Sequence, residues 1–181
     1  MEDAKMKFEK EREKVLSEIP ATVKAMFGQI GFSTSDETGE LVPLLVLNPY
    51  DVPPKPVRDV YWFDMFSKNK RSKKLKKMSY LVYWYGSVDP DDCYSFIEQM
   101  DFISYENGEK RDLGILPKSI QDKIDENLPL SEEEEWQVRA IKEMEEDLPK
   151  APEERRRGNI GFKERHEMLG DAKDSDKKRK R

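Results

Sequence analysis

Seven basic residues stand within ten positions of this chain: Lys68, Lys70, Arg71, Lys73, Lys74, Lys76 and Lys77. No acid interrupts them. Such a block can neutralise several phosphates of a nucleic acid and makes binding strongly dependent on salt. It can equally serve as a nuclear import signal, and a solvated charged loop is the plainest alternative. A second cluster comprises Lys177, Lys178, Arg179, Lys180 and Arg181, for which nuclear import is the expected role. Two such clusters point to a nuclear location.

Groups able to run covalent or metal chemistry are scarce. The chain has one cysteine, Cys93, and one histidine, His166. One of each builds no zinc site of the usual kind. His166 falls in a segment read as tail, which leaves Cys93 without a base to activate it. There is no glycine-rich phosphate loop. The acids Asp89, Asp91 and Asp92 read as a solvated turn rather than a metal site. The expectation is therefore no catalysis, no metal, no cofactor and no small-molecule substrate. A lone cysteine also allows no internal disulfide, which suits a reducing compartment.

Charged residues make up 39% of the 181 positions and hydrophobic ones 36%. A globular chain usually carries about 25% charge. One compact domain of roughly 100 residues with charged arms is expected. The net charge of −5 hides acidic runs at 132–135 and 143–147 beside the basic ones. That asymmetry points to partners of opposite sign. The acidic balance argues against a protein that coats nucleic acid over its whole surface. Residues 1–14 are too charged for a signal peptide, and no apolar run approaches the ~18 residues that span a bilayer. The reading is soluble and intracellular, with no membrane partner.

These residues must be positioned by a chain that starts with a helix over 1–19. Ala4, Phe8, Val15 and Ile19 share one side of it, and Pro20 ends it. Residues 21–32 read as a strand entering a turn. Residues 41–50 are a β-rich run whose Pro43 suits an edge or bulge. Segment 51–77 opens with Pro53, Pro54 and Pro56, gathers Tyr61, Trp62, Phe63 and Phe66, and ends in the basic block. It predicts a short helix over 57–66 and then a mobile loop. Strand 81–85 sets Tyr83 and Tyr85 on one face and Val82 and Trp84 on the other. A strand at 93–97, a one-turn segment at 98–101 and a short strand at 102–105 follow.

From 117 the pattern turns helical. Ile120, Ile124 and Leu128 recur at helical spacing, and Ser131 with Glu134 has the spacing of a capping box. Trp136, Ala140 and Met144 line one face of that last helix. Strands first and helices last predict an α+β fold built on a small antiparallel β-barrel. The predicted organisation is a charged helix at 1–19 and a barrel unit at 20–148. The barrel unit carries the basic insert at 51–77 and C-terminal helices at 117–148. A disordered charged tail at 149–181 completes it.

Three stretches, in order, resemble the PWWP family of Tudor-like chromatin readers: VKAMFG at 23–28, LVPLLVLNPYDVPP at 41–54, and YLVYWYGS with CYSFIEQMDFISYENG over 80–108. The resemblance spans roughly 21–148. Val42 stands where that family typically carries a tryptophan, and the insert is longer than usual. The resemblance implies a Tudor-like barrel, and a methyl-lysine or peptide pocket at Met26, Val42 and Trp84. In such a pocket ring faces attract a methylated ammonium. It also implies contacts to nucleosomal DNA through the basic insert, with a histone tail as a further partner. The expected function is a nuclear chromatin-associated binding module. The alternative is a non-reading scaffold subunit of a larger nuclear complex, in chromatin remodelling or transcription, whose helices hold the other subunits. An RNA-binding reading is disfavoured because the aromatic strand carries no basic residue.

Overall fold

A computed structural model describes residues 2–35, 39–52, 54–88 and 93–155. Lys177, Lys178, Arg179, Lys180, Arg181, His166 and the acids Asp89, Asp91 and Asp92 lie outside the described residues.

The unbroken apolar run LVPLLV forms β2, Leu41–Val46, at the centre of a five-stranded antiparallel sheet. It lies between β1, Ile30–Thr34, and β3, Tyr80–Trp84; β4, Tyr94–Ile97, flanks β3, and β5, Ile103–Ser104, flanks β1. The β2–β3 ladder runs from Leu44↔Trp84 to Val46↔Val82. Pro43 sits just past its end, where its missing N–H leaves no strand bond unmade. A strand with both faces covered has no need to alternate polar residues. Here one face carries Leu45, Leu81 and Tyr83 into the main core, and the other carries Val42, Leu44, Val46, Val82, Trp84 and Ile97 into a second apolar cluster. The opposed orientation of Tyr83 and Tyr85 against Val82 and Trp84 is thus present.

The sheet does not close into the expected barrel. β4 and β5 remain at opposite edges, and β5 is two residues long before the chain turns helical at Tyr105. Its ladder to β1 is just Gly31↔Ser104 and Phe32↔Ile103, too short to bring β4 alongside. The sheet must nevertheless curl. Four strand spacings laid flat would separate its edges by ~19 Å. The connection from Ile97 to Ile103 contains the 3-10 turn Gln99–Asp101, which cuts its reach to ~17 Å. Phe102 from this connection packs on the second cluster, and the Ser33 hydroxyl donates to the Asp101 carbonyl at 2.9 Å.

Helices cover the main-core face. α1, Glu2–Glu18, docks through Val15 and Leu16, with Ile19 buried behind it. The segment read as a first strand begins instead as a helical turn, α2, Ala21–Lys24, whose Val23 is buried. Strand structure starts only at Ile30. α3, Phe63–Arg71, follows a π-helical stretch, Pro54–Trp62. α4, Tyr105–Lys110, was not expected. Ser104 caps it by accepting from the Asn107 N–H, and Gly108 lets it lie directly on the Phe32 ring. α5, Lys118–Asp125, leads to α6, Glu132–Asp147, which has the anticipated capping box. Order continues past the expected start of the tail. Arg155 Nη1 donates to the Gly28 carbonyl at 2.7 Å and Nε to the Asp147 carbonyl at 3.2 Å.

Candidate nucleic-acid interface

The basic block is an ordered structure rather than a loop. Arg58, Trp62 and Phe66 recur every four residues and form the buried side of the continuous helical stretch. The Trp62 and Phe66 rings stack at 5.0 Å and 11°, which fixes the stretch against the core. Lys68, Lys70 and Arg71 fall in the last turn of α3, where cations offset the negative helix end. Lys73 then takes the left-handed conformation, φ 59°. Lys73 N–H bonds the Lys70 carbonyl at 3.3 Å and Lys74 N–H the Asn69 carbonyl at 2.8 Å. That pair of bonds is the Schellman arrangement, which ordinarily selects glycine at this position. A 3-10 turn, Leu75–Lys77, carries the last two lysines. Leu75 packs on the main core, Met78 is buried, and Gln99 Nε2 donates to the carbonyls of Lys76 and Met78.

All seven basic side chains are exposed. Lys68 pairs with Asp64 at 3.0 Å, and Lys70 with Glu18 of α1 at 2.8 Å. Arg71, Lys73, Lys74, Lys76 and Lys77 form no ion pair among the described residues. Exposed Val60 and Tyr61 lie just ahead on the same helical stretch.

The pocket residues Met26, Val42 and Trp84 do come together, on the second sheet face. They meet as packing. Val42 is 2% exposed and Trp84 8%, and Met26, Tyr80, Phe102 and Trp136 pack against that cluster. Trp136 reaches it from α6, its indole N–H donating to the Tyr85 carbonyl at 3.0 Å.

The acidic run at 143–147, read as a partner-facing charge cluster, is partly turned inward. Glu143 accepts from the Tyr83 hydroxyl at 2.9 Å and from the Gly86 N–H, and fully buried Asp147 accepts from the Tyr85 hydroxyl at 2.9 Å. Spaced four apart, the two carboxylates continue the Ala140–Met144 side of α6. Their spacing was the only signal that could have marked them as internal. Cys93 is buried, and burial pushes the neighbouring Tyr94 phenol far above its usual value, with Cys93 and Tyr83 adding to the effect. Among the described residues no cluster of His, Cys, Asp or Glu could hold a metal ion, and no helix is long and apolar enough to cross a membrane.

Arg58 was not anticipated from sequence. Its guanidinium lies over the rings of Phe8 and Tyr50, beside a cavity between α1 and the Pro54–Arg71 stretch. Burial raises the Tyr50 phenol, and the Arg58 charge opposes that shift. Comparison with protein-family models, with curated proteins and with solved structures finds no match to this chain.

Proposed function

We propose that the chain is a nuclear chromatin-associated module that contacts nucleosomal DNA through the end of α3 and the turn after it. The observation that carries this reading is the set of five exposed cations, Arg71, Lys73, Lys74, Lys76 and Lys77, with no acid partner among the described residues. An unpaired cation gives up no internal ion pair when it meets a phosphate. The ordered backbone also limits the entropy lost on binding. Five phosphate contacts imply a slope of log affinity against log salt of about −4.5.

The test is a salt titration of binding to nucleosomes and to bare duplex. Replacing all seven basic residues of 68–77 by Gln is expected to abolish most of the affinity and flatten the slope. Unchanged affinity would remove the DNA contact from the proposal.

The burial of Val42 and Trp84 supports a second reading, the scaffold subunit, over an open methyl-lysine cage. The α6 stripe offers that reading less than the sequence suggested, because Ala140 and Met144 are already packed in the core. A stoichiometric complex that survives high salt would favour the scaffold; partners shed at moderate salt would favour the DNA contact.

A further inference from the structure

Arg58 stands in the π-helical stretch with its side chain 10% exposed, yet it makes one hydrogen bond, from Nε to Asp59 Oδ1 at 2.9 Å. The guanidinium carbon lies 5.2 Å from the centre of the Phe8 ring and 5.0 Å from that of Tyr50. Those rings meet at 71° with centroids 6.1 Å apart. The pair of rings and Asp59 fix the guanidinium plane. Its terminal nitrogens have no hydrogen-bond partner among the described residues. Arginine is almost never buried with its donors unused, because each unmade bond costs free energy. Beside it lies a cavity of about 520 Å³, walled by Phe8, Val15, Tyr50, Phe63 and Phe66. That volume is in the range of ligand pockets.

We propose that this cavity binds a carboxylate carried on an apolar body. The two terminal nitrogens of Arg58 grip the two carboxylate oxygens, a geometry the guanidinium fork is built to make. Val15, Phe63 and Phe66 cover the apolar part. Charge decides between ligand classes. Glu11, Glu18 and Asp59 line the cavity against Lys14, Arg58 and Lys70. That balance tolerates one negative charge and disfavours a dianionic phosphate. A methylated ammonium is disfavoured as well, because Arg58 already occupies the ring faces of Phe8 and Tyr50. The carboxylate can come from a free arylalkanoic acid or from the C-terminus of a peptide.

The experiment titrates the full chain with 3-phenylpropanoate, with 3-phenylpropanamide, with inorganic phosphate and with an acetylated peptide ending in a free phenylalanine carboxylate. Saturable binding of at least one acid is expected, weakened about tenfold or more in the amide. Phosphate should not compete. Tighter binding of the peptide assigns a protein partner, and tighter binding of the free acid a small molecule. Arg58→Lys keeps the charge and loses the fork, so it should weaken the acid about tenfold while the thermal transition confirms folding. If that variant unfolds, the guanidinium nitrogen resonances of Arg58 in the unaltered chain provide the reading, and they must shift with acid and not with amide. Replacing Arg71, Lys73, Lys74, Lys76 and Lys77 by Gln should leave acid binding intact, which separates this site from the DNA contact. No saturable binding of either acid at millimolar concentration, equal binding of acid and amide, or displacement by phosphate overturns the proposal.

Discussion

Lys73 carries a conflict between backbone and side chain. Its φ of 59° closes α3 in the way glycine usually does. A side chain there costs roughly 1–2 kcal/mol relative to an unstrained backbone. Glycine recovers part of that, because its own unfolded chain is more disordered. Lys73→Gly should therefore raise stability by about 1 kcal/mol in urea melts. If Lys73 touches a phosphate, the same substitution should make the salt slope shallower by about 0.9. A more stable protein with an unaltered slope would place Lys73 outside the contact. The basic composition was legible in the sequence; the strained lysine was not, since nothing in KRSKKLKK marks where a Schellman turn falls. Glu143 and Asp147 were obscured in the same way. In a run of acids, the two that bond buried tyrosine hydroxyls look like the rest.

Helix α6 shows what element-level patterning does and does not reveal. Ser131 accepts from the Glu134 N–H at 3.1 Å and Glu134 Oε1 from the Ser131 N–H at 3.0 Å, as the spacing foretold. Lys123 of α5 also donates to Glu134 at 2.9 Å, so the cap joins two helices. That bond first, and the Ser131 N–H second, hold the Glu134 carboxyl below the usual carboxylate range. A depressed folded value means the contribution is complete above the unfolded carboxylate value, about pH 4.3. It is lost as pH falls through the folded value. Glu134→Gln keeps the shape of the cap and loses the charge, so it should be less stable than the unaltered chain at neutral pH. The deficit should shrink in acid, read as converging urea midpoints of the two proteins. A deficit that stays constant into acid would mean that the carboxylate charge adds nothing to the cap. By contrast, α2 and α4 escaped notice because they are four and six residues long. Neither gives a helical period room to repeat, and Asn107-Gly108 imitates a turn.

At the scale of the molecule, the open sheet is stable because each face has its own cover. A barrel was a fair reading of five short strands with tight turns. Strand count says nothing of whether the outer pair meet, and that depended on β5 turning helical after two residues. Packing on both faces of the sheet desolvates aromatic hydroxyls, which makes the fold sensitive to alkali. Burial raises the phenols of Tyr94, Tyr80, Tyr50 and Tyr105, Tyr94 by far the most. A raised folded value means that stability is fully present below the unfolded phenol value, about pH 10, and declines as pH rises beyond it. Burial favours the neutral Tyr94 phenol in the folded state, so its phenolate should appear as the sheet opens. Phenolate absorbance and far-ultraviolet circular dichroism, followed together as pH rises from neutral, should share a late step. Tyr94→Phe should remove one phenolate equivalent from it. Complete ionisation of all tyrosines near pH 10 with the dichroism unchanged would show that the β3–β4 face admits water, and that the cover formed by α1, α3 and α6 is incomplete.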